Sequence, residues 1–199
     1  MNEHLAFLRK LKSVSFATVE DNKPCIRIAD VMIHEDDVLY FLTAEGKPFY
    51  KQLKKNPNLS IIGMDKKYKT VRVSGEIEWL GKEYVDKIFD ANPMMNDLYK
   101  GEKRYILDAF CMRKGEGEMF DLGVQPLHRE TFSFGGASKR QAGFYITDEC
   151  TSCGICKDEC VTECISEGSP YKINSNRCLE CGRCATFCPS QAIKEPRKI

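Results

Sequence analysis

Four cysteines spaced C-x2-C-x2-C-x3-C, namely Cys150, Cys153, Cys156 and Cys160, recur as Cys178, Cys181, Cys184 and Cys188, and no other feature constrains the folding of this chain as tightly. Each cysteine of the second run stands 28 positions after its counterpart. The register extends past the thiols: Gly154 maps onto Gly182, Ile165 onto Ile193, and the strand-like Tyr145-Ile146 onto Ile173-Asn174. Such agreement marks an internal duplication. A segment this short cannot bury a sufficient core unaided, so it needs a metal centre to fold.

Nine of the eleven cysteines lie between Cys150 and Cys188. In a secreted chain they would suggest a disulfide framework. Met1 to Lys12, however, is amphipathic and charged, without the apolar run of a signal peptide. No stretch approaches the roughly 18 apolar residues of a membrane helix. The expectation is a cytoplasmic protein with no membrane association. The formal net charge of +1, with both signs mixed along the chain, gives no basic stripe for nucleic acid. Zinc shares the C-x2-C spacing, but a tetrahedral four-ligand site has no use for three evenly spaced thiols followed by a fourth.

Over about Tyr145 to Lys194 the tail resembles the bacterial two-cluster [4Fe–4S] ferredoxins. In that family three thiolates of one run wrap a cluster and the fourth ligand comes from the other repeat. The resemblance therefore implies one cluster on Cys150, Cys153, Cys156 and Cys188, and another on Cys178, Cys181, Cys184 and Cys160. Pro189 follows Cys188 as the motif expects, whereas Val161 replaces the matching proline and Cys164 stands where the second repeat has Ala192. Cys164 reads either as a small buried hydrophobe or as a residue with a ligand-exchange or redox role.

Before the tail, β-branched and aromatic runs alternate with turn signals, which predicts a mainly β domain. The expected strands are Val14 to Val19, Cys25 to Ile33, Val38 to Thr43, Leu59 to Met64, Thr70 to Leu80, Tyr105 to Met112, Glu118 to Leu122 and Thr131 to Phe134. Helices are expected over His4 to Leu11, Pro48 to Lys55 and Lys82 to Ala91; the last two end near Asn-Pro. The small, polar run from Gly135 to Arg140 reads as a linker. The predicted organisation is a domain over 1–136, a linker over 137–141 and an α+β cluster domain over 142–199.

Two one-electron centres serving two-electron chemistry call for a cofactor that can divide an electron pair, and flavin is the usual one. Pro24-Cys25-Ile26-Arg27, then Leu39 to Ala44 with Gly46-Lys47, then Tyr50 to Pro57, and finally Val71 to Leu80 follow one another in an order similar to the FMN-binding split β-barrel of the pyridoxamine 5'-phosphate oxidase superfamily. This resemblance spans roughly Leu5 to Gly136. It implies that Arg27 grips the FMN phosphate, with backbone contacts at Ile28 and Ala29. It makes Thr43, Lys47 and Lys51 further phosphate contacts, Lys47 preferred, and sets Thr70 against the flavin ring. A bidentate guanidinium suits a phosphate.

The resemblance also implies a homodimer with a flavin site at each shared interface. No late Arg-x-His segment matches the one that holds substrate in the vitamin-processing oxidase, so pyridoxamine phosphate is not the expected substrate. The three histidines are too scattered for a metal set, and only His128, after the last strands, draws attention. The expected function is an oxidoreductase that passes electrons between two [4Fe–4S] clusters and FMN, exchanges them with a soluble donor or acceptor protein, and reduces a small molecule. The alternatives are a non-catalytic electron carrier or redox sensor, and a barrel that holds deazaflavin or haem.

Overall fold

In the computed structural model, which describes residues 2–196, Asn2 caps helix α1 (Glu3–Leu11), its side chain accepting from the amides of His4 and Leu5. Leu5 and Leu8 are fully buried, so one face of this short helix anchors it. Strands β1 (Ser13–Glu20) and β2 (Lys23–Asp30) form an antiparallel hairpin. Asp21 and Asn22 both take positive φ at its tip, the twist that a two-residue hairpin turn requires. The same device, Asp36 and Asp37, joins β3 (Ile33–Glu35) to β4 (Val38–Ala44).

Helix α2 (Pro48–Lys55) opens on its proline and stops before Pro57. Then come β5 (Asn58–Met64), β6 (Lys69–Gly81), α3 (Val85–Asp90), α4 (Met95–Leu98), a 3₁₀ turn over Gly101–Ile106, β7 (Leu107–Asp121) and β8 (His128–Phe134). The eight strands make one sheet in the order β2-β1-β5-β6-β7-β4-β3, with β8 also paired to β7. Its core is aromatic: Phe41 stacks on Phe49 and Phe110, and Phe16 meets Phe41 edge-on.

Two sequence expectations change. Cys25 to Ile33 is two strands, because the chain turns at the buried Val31 and Met32. Tyr105 to Met112 and Glu118 to Leu122 become one long strand, β7, while Tyr105 itself stays in the 3₁₀ turn. The intervening Gly115 lets β7 pass close to β6: a Cβ there would lie 2.5 Å from the Ser74 carbonyl oxygen, and one on Gly75 only 2.3 Å from that of Lys114. Gly75→Ala should therefore cost about 1–3 kcal/mol by overpacking. Calorimetry would register this as a midpoint lowered by about 2–12 °C.

The described chain divides into two compact units that are not consecutive segments. The barrel unit comprises residues up to Lys66, Thr70–Gly117 and Ser133–Ser138. The cluster unit takes everything from Lys139 onward, together with Lys67–Lys69 and Glu118–Phe132. The last segment of the second unit begins at Lys139, and the far end of the β7–β8 hairpin groups with it.

Within the tail, β9 (Tyr145–Ile146), α5 (Ile155–Asp158) and β10 (Ile165–Ser166) form the first repeat, and β11 (Lys172–Ile173), α6 (Arg183–Thr186) and β12 (Ile193–Lys194) the second. Strands pair across the repeats, β9 with β12 and β10 with β11. Gly154 and Gly182, at φ 86° and 75°, turn the chain into α5 and α6 at the matching point of each repeat.

Candidate functional site

The paired strands bring the two cysteine runs together in a crossed sense. Cys150, Cys153 and Cys156 line one cavity with Cys188; Cys178, Cys181 and Cys184 line a second with Cys160 and Cys164. Among the described residues no group of three or more His, Cys, Asp or Glu side chains is arranged to hold a single metal ion. Backbone amides already face the sulfurs: the Ser152 amide donates to Cys150 Sγ and the Glu180 amide to Cys178 Sγ, each at 3.4 Å. The Cys164 thiol, hydrogen-bonded to Cys178, is the chief influence holding the Cys178 thiol down to about 6, whereas burial pushes Cys184 up to about 11. Amide donors aimed at sulfur, with the Cys178 thiol held low, suit an anionic, thiolate-bound cluster.

An ion network braces the second run. Arg129, on β8, is 4 % exposed; it donates to the Cys178 carbonyl at 3.1 Å, pairs with Glu180 at 2.7 Å, and also pairs with Glu118 of β7. Glu180 further accepts from the Gly143 amide at 2.8 Å and pairs with Arg140 at 3.1 Å. Sequence reading missed this set and favoured the neighbouring His128, which is exposed. The available signal was Glu180, a carboxylate enclosed between two ligand-spaced cysteines.

In the barrel unit, four of the expected FMN residues gather around α2. Arg27 lies 4.5 Å over the Phe49 ring and donates to Gln52 Oε1 at 2.7 Å and to Thr18 Oγ1 at 2.8 Å. Gln52 is held in turn by Glu20 at 3.0 Å. Burial lowers the Arg27 pKa from its ordinary value, which leaves a guanidinium cation at any working pH. Lys47 caps α2 and Lys51 lies within it, both exposed. Thr43 is buried on β4, and its hydroxyl finds no hydrogen-bond partner among the described residues, a vacancy that a ligand oxygen would fill. Ile28 and Ala29 lie on β2, the edge strand, where one row of backbone groups has no neighbouring strand. Thr70, at the start of β6 opposite Met64, lies apart from this group.

Beside Thr43 in the ladder, Asp108 is almost fully buried and receives Tyr50 at 2.9 Å, Trp79 at 2.8 Å and Lys82 at 2.7 Å. Burial pushes its carboxyl up, but those three partners outweigh it and hold the pKa below the usual range. Asp108 thereby fixes α2 to β6 and β7. These residues fit an anionic, phosphate-bearing cofactor: a buried hydroxyl awaiting a partner, two free ammonium groups and a pre-oriented guanidinium.

The pyridoxamine 5'-phosphate oxidase family model matches residues 1–109, more than half of the chain. The chain belongs to this family. A second model, the 4Fe-4S binding domain, matches residues 171–194. The tail is 54% identical over 35 residues to a ferredoxin of Butyribacterium methylotrophicum, the match covering 18% of this chain and 64% of that protein. The same identity over 35 residues relates it to ferredoxin-1 of Chlorobaculum tepidum, with 17% and 56% covered. The chain thus spans less than two thirds of the length of these curated relatives.

For the barrel, a NimC/NimA family protein of Clostridium acetobutylicum is 26% identical at a TM-score of 0.57, covering 66% of this chain and 90% of that one. A general stress protein 26-related protein of the same organism shares the fold at 18% identity and a TM-score of 0.52, covering 65% and 94%. This member of the family therefore joins an FMN-binding type of split barrel to a 4Fe–4S ferredoxin domain, a combination equipped for electron transfer. Among the described residues no helix is long and apolar enough to cross a membrane.

Proposed function

We propose that the protein is an oxidoreductase that holds FMN in its barrel and two [4Fe–4S] clusters in its tail, and passes electrons from the clusters through FMN to a small molecule. The observation that carries this reading is the pair of cysteine-lined cavities, each drawing three thiols from one run and the fourth from the other. Clusters carry single electrons and FMN, when bound, links them to a two-electron substrate.

The chain's own part is to hold these groups. Arg27, fixed by Gln52 and Thr18, would meet the phosphate with little further ordering, and Thr43, Lys47 and Lys51 would complete its cradle. The backbone of Ile28 and Ala29 would flank the cofactor, and Thr70, which lies apart from the phosphate group, could reach only its far, ring end. Arg27→Ala removes a charge-assisted hydrogen bond worth about 1.5–3 kcal/mol. FMN affinity measured by fluorescence should accordingly fall about 10- to 100-fold; unchanged retention would remove Arg27 from the phosphate site.

We also propose a homodimer. Ile26, Ile28, Ile62 and Met64 are exposed on one face of β2 and β5, an apolar patch that a second copy would cover. Ile28→Lys should shift the protein to monomer in analytical ultracentrifugation and loosen FMN with it.

The electron path is tested by reducing the anaerobic protein with reduced ferredoxin, a soluble cytoplasmic donor, and following flavin bleaching by stopped flow. The reading predicts bleaching that is abolished in Cys153→Ser and Cys181→Ser. Bleaching at an unchanged rate in both would contradict it. Turnover of an added oxidant then separates an enzyme from a carrier or sensor.

A further inference from the structure

The duplication provides an internal control, because the groups around the crossing cysteine of one cage can be compared with those around the other. Cys160, which crosses into the second cage, receives the Cys164 amide at 3.4 Å and lies 3.7 Å from the Thr162 hydroxyl. Cys188, which crosses into the first, is hydrogen-bonded by the Ser190, Ala192 and Ile193 amides and lies 3.6 Å from the Ser190 hydroxyl. The Thr162 and Cys164 amides match those of Ser190 and Ala192, and hydroxyl matches hydroxyl; the Ile193 amide is a further donor to Cys188. The side chains of Cys164 and Ala192 do not match: Cys164 Sγ lies 3.5 Å from Cys160 Sγ, within hydrogen-bond range for sulfur, where Ala192 presents only a methyl group. Both residues are buried and both line their cage.

We propose that Cys164 is a positioning residue whose S–H is shared between the second-cage ligands Cys160 and Cys178, and so holds the second-cage cluster at a higher reduction potential than the first. The inference rests on the two-cluster reading. Cys160 and Cys178 bound to iron are thiolates without protons, so the hydrogen they share belongs to Cys164. A hydrogen bond to a ligand sulfur favours the more negative, reduced cluster, and hydrogen bonds of this kind are among the determinants of cluster potential. An electron delivered to either cluster then comes to rest in the second cage. Cys164 is not needed as a ligand, since the repeat already supplies four thiolates and its counterpart Ala192 has no donor atom.

The test is an anaerobic redox titration, monitored by electron paramagnetic resonance, of the full chain, Cys164→Ala and Ala192→Cys. The couple that disappears in Cys181→Ser identifies the second cage. Cys164→Ala should retain all its iron and lower only the second-cage couple, by about a tenfold change in electron partition, which is about 59 mV for a one-electron couple. Ala192→Cys should raise the first-cage couple instead. Iron lost from Cys164→Ala would make Cys164 a ligand and overturn the proposal, as would couples that do not move. Wild-type protein with only one cluster would defeat the two-cluster reading itself, a failure visible in the iron count before any potential is compared.

Discussion

Cys188→Ser is expected to empty the first cage, built on Cys150, Cys153 and Cys156, and to leave the second cage loaded. Serine offers a harder, less readily ionised oxygen in place of the thiolate that an iron–sulfur cluster requires. Cys188 lies in the second run by sequence yet lines the first cavity by structure, so a purely local ligand scheme predicts the opposite loss. Double variants make the result decisive. Cys153→Ser with Cys188→Ser should lose no more iron than either single change, about half the total. Cys181→Ser with Cys188→Ser should lose nearly all of it. Additive losses in the first pair would refute the crossed arrangement.

Arg129→Met should have the second-largest effect. The substitution keeps an unbranched apolar stem but removes the buried cation that Glu118 and Glu180 share, their side chains being only 15% and 20% exposed; Glu180 retains Arg140 and the Gly143 amide. Breaking such a pair costs about 3 kcal/mol, the low end for buried ion pairs because both carboxylates retain some water. The cost falls on the loop that carries Cys178, so second-cage iron should be removed by a mild chelator well before first-cage iron. The acid behaviour follows from the same contacts. Burial pushes the Glu180 carboxyl up, but Arg129 and the Gly143 amide outweigh it, and its pKa lies below the ordinary value. A depressed carboxylate contributes stability that is present above its unfolded pKa and lost as pH falls through its folded one. The wild-type second cage should thus weaken only on acidification below the usual carboxylate range, while Arg129→Met, which loses the largest part of this contribution and keeps only the Gly143 amide and Arg140, should be weaker already at neutral pH. Chelation rates measured across pH would show whether the two profiles separate.

The cysteine runs could be read from sequence because their information is spacing along one chain, and spacing survives without coordinates. Arg27 was readable for the same reason, as one residue in an ordered series. Its anchors were not, since Thr18 reaches it only across the β1–β2 hairpin and Gln52 only once α2 has folded over Phe16 and Phe41. The Arg129 network was hidden more deeply, because it joins the hairpin end to a loop some fifty residues later and no local pattern reports that meeting. The two strand errors have local causes. Val31 and Met32 are apolar and buried at a turn, so they read as strand, whereas Arg113-Lys114-Gly115-Glu116-Gly117 is polar and glycine-rich inside a strand, so it reads as a turn.

Anaerobic purification followed by iron, sulfide and flavin quantitation on one sample should yield about eight iron, about eight sulfide and about one FMN per chain. Two zinc ions without sulfide or flavin, or iron for a single cluster, would contradict that composition.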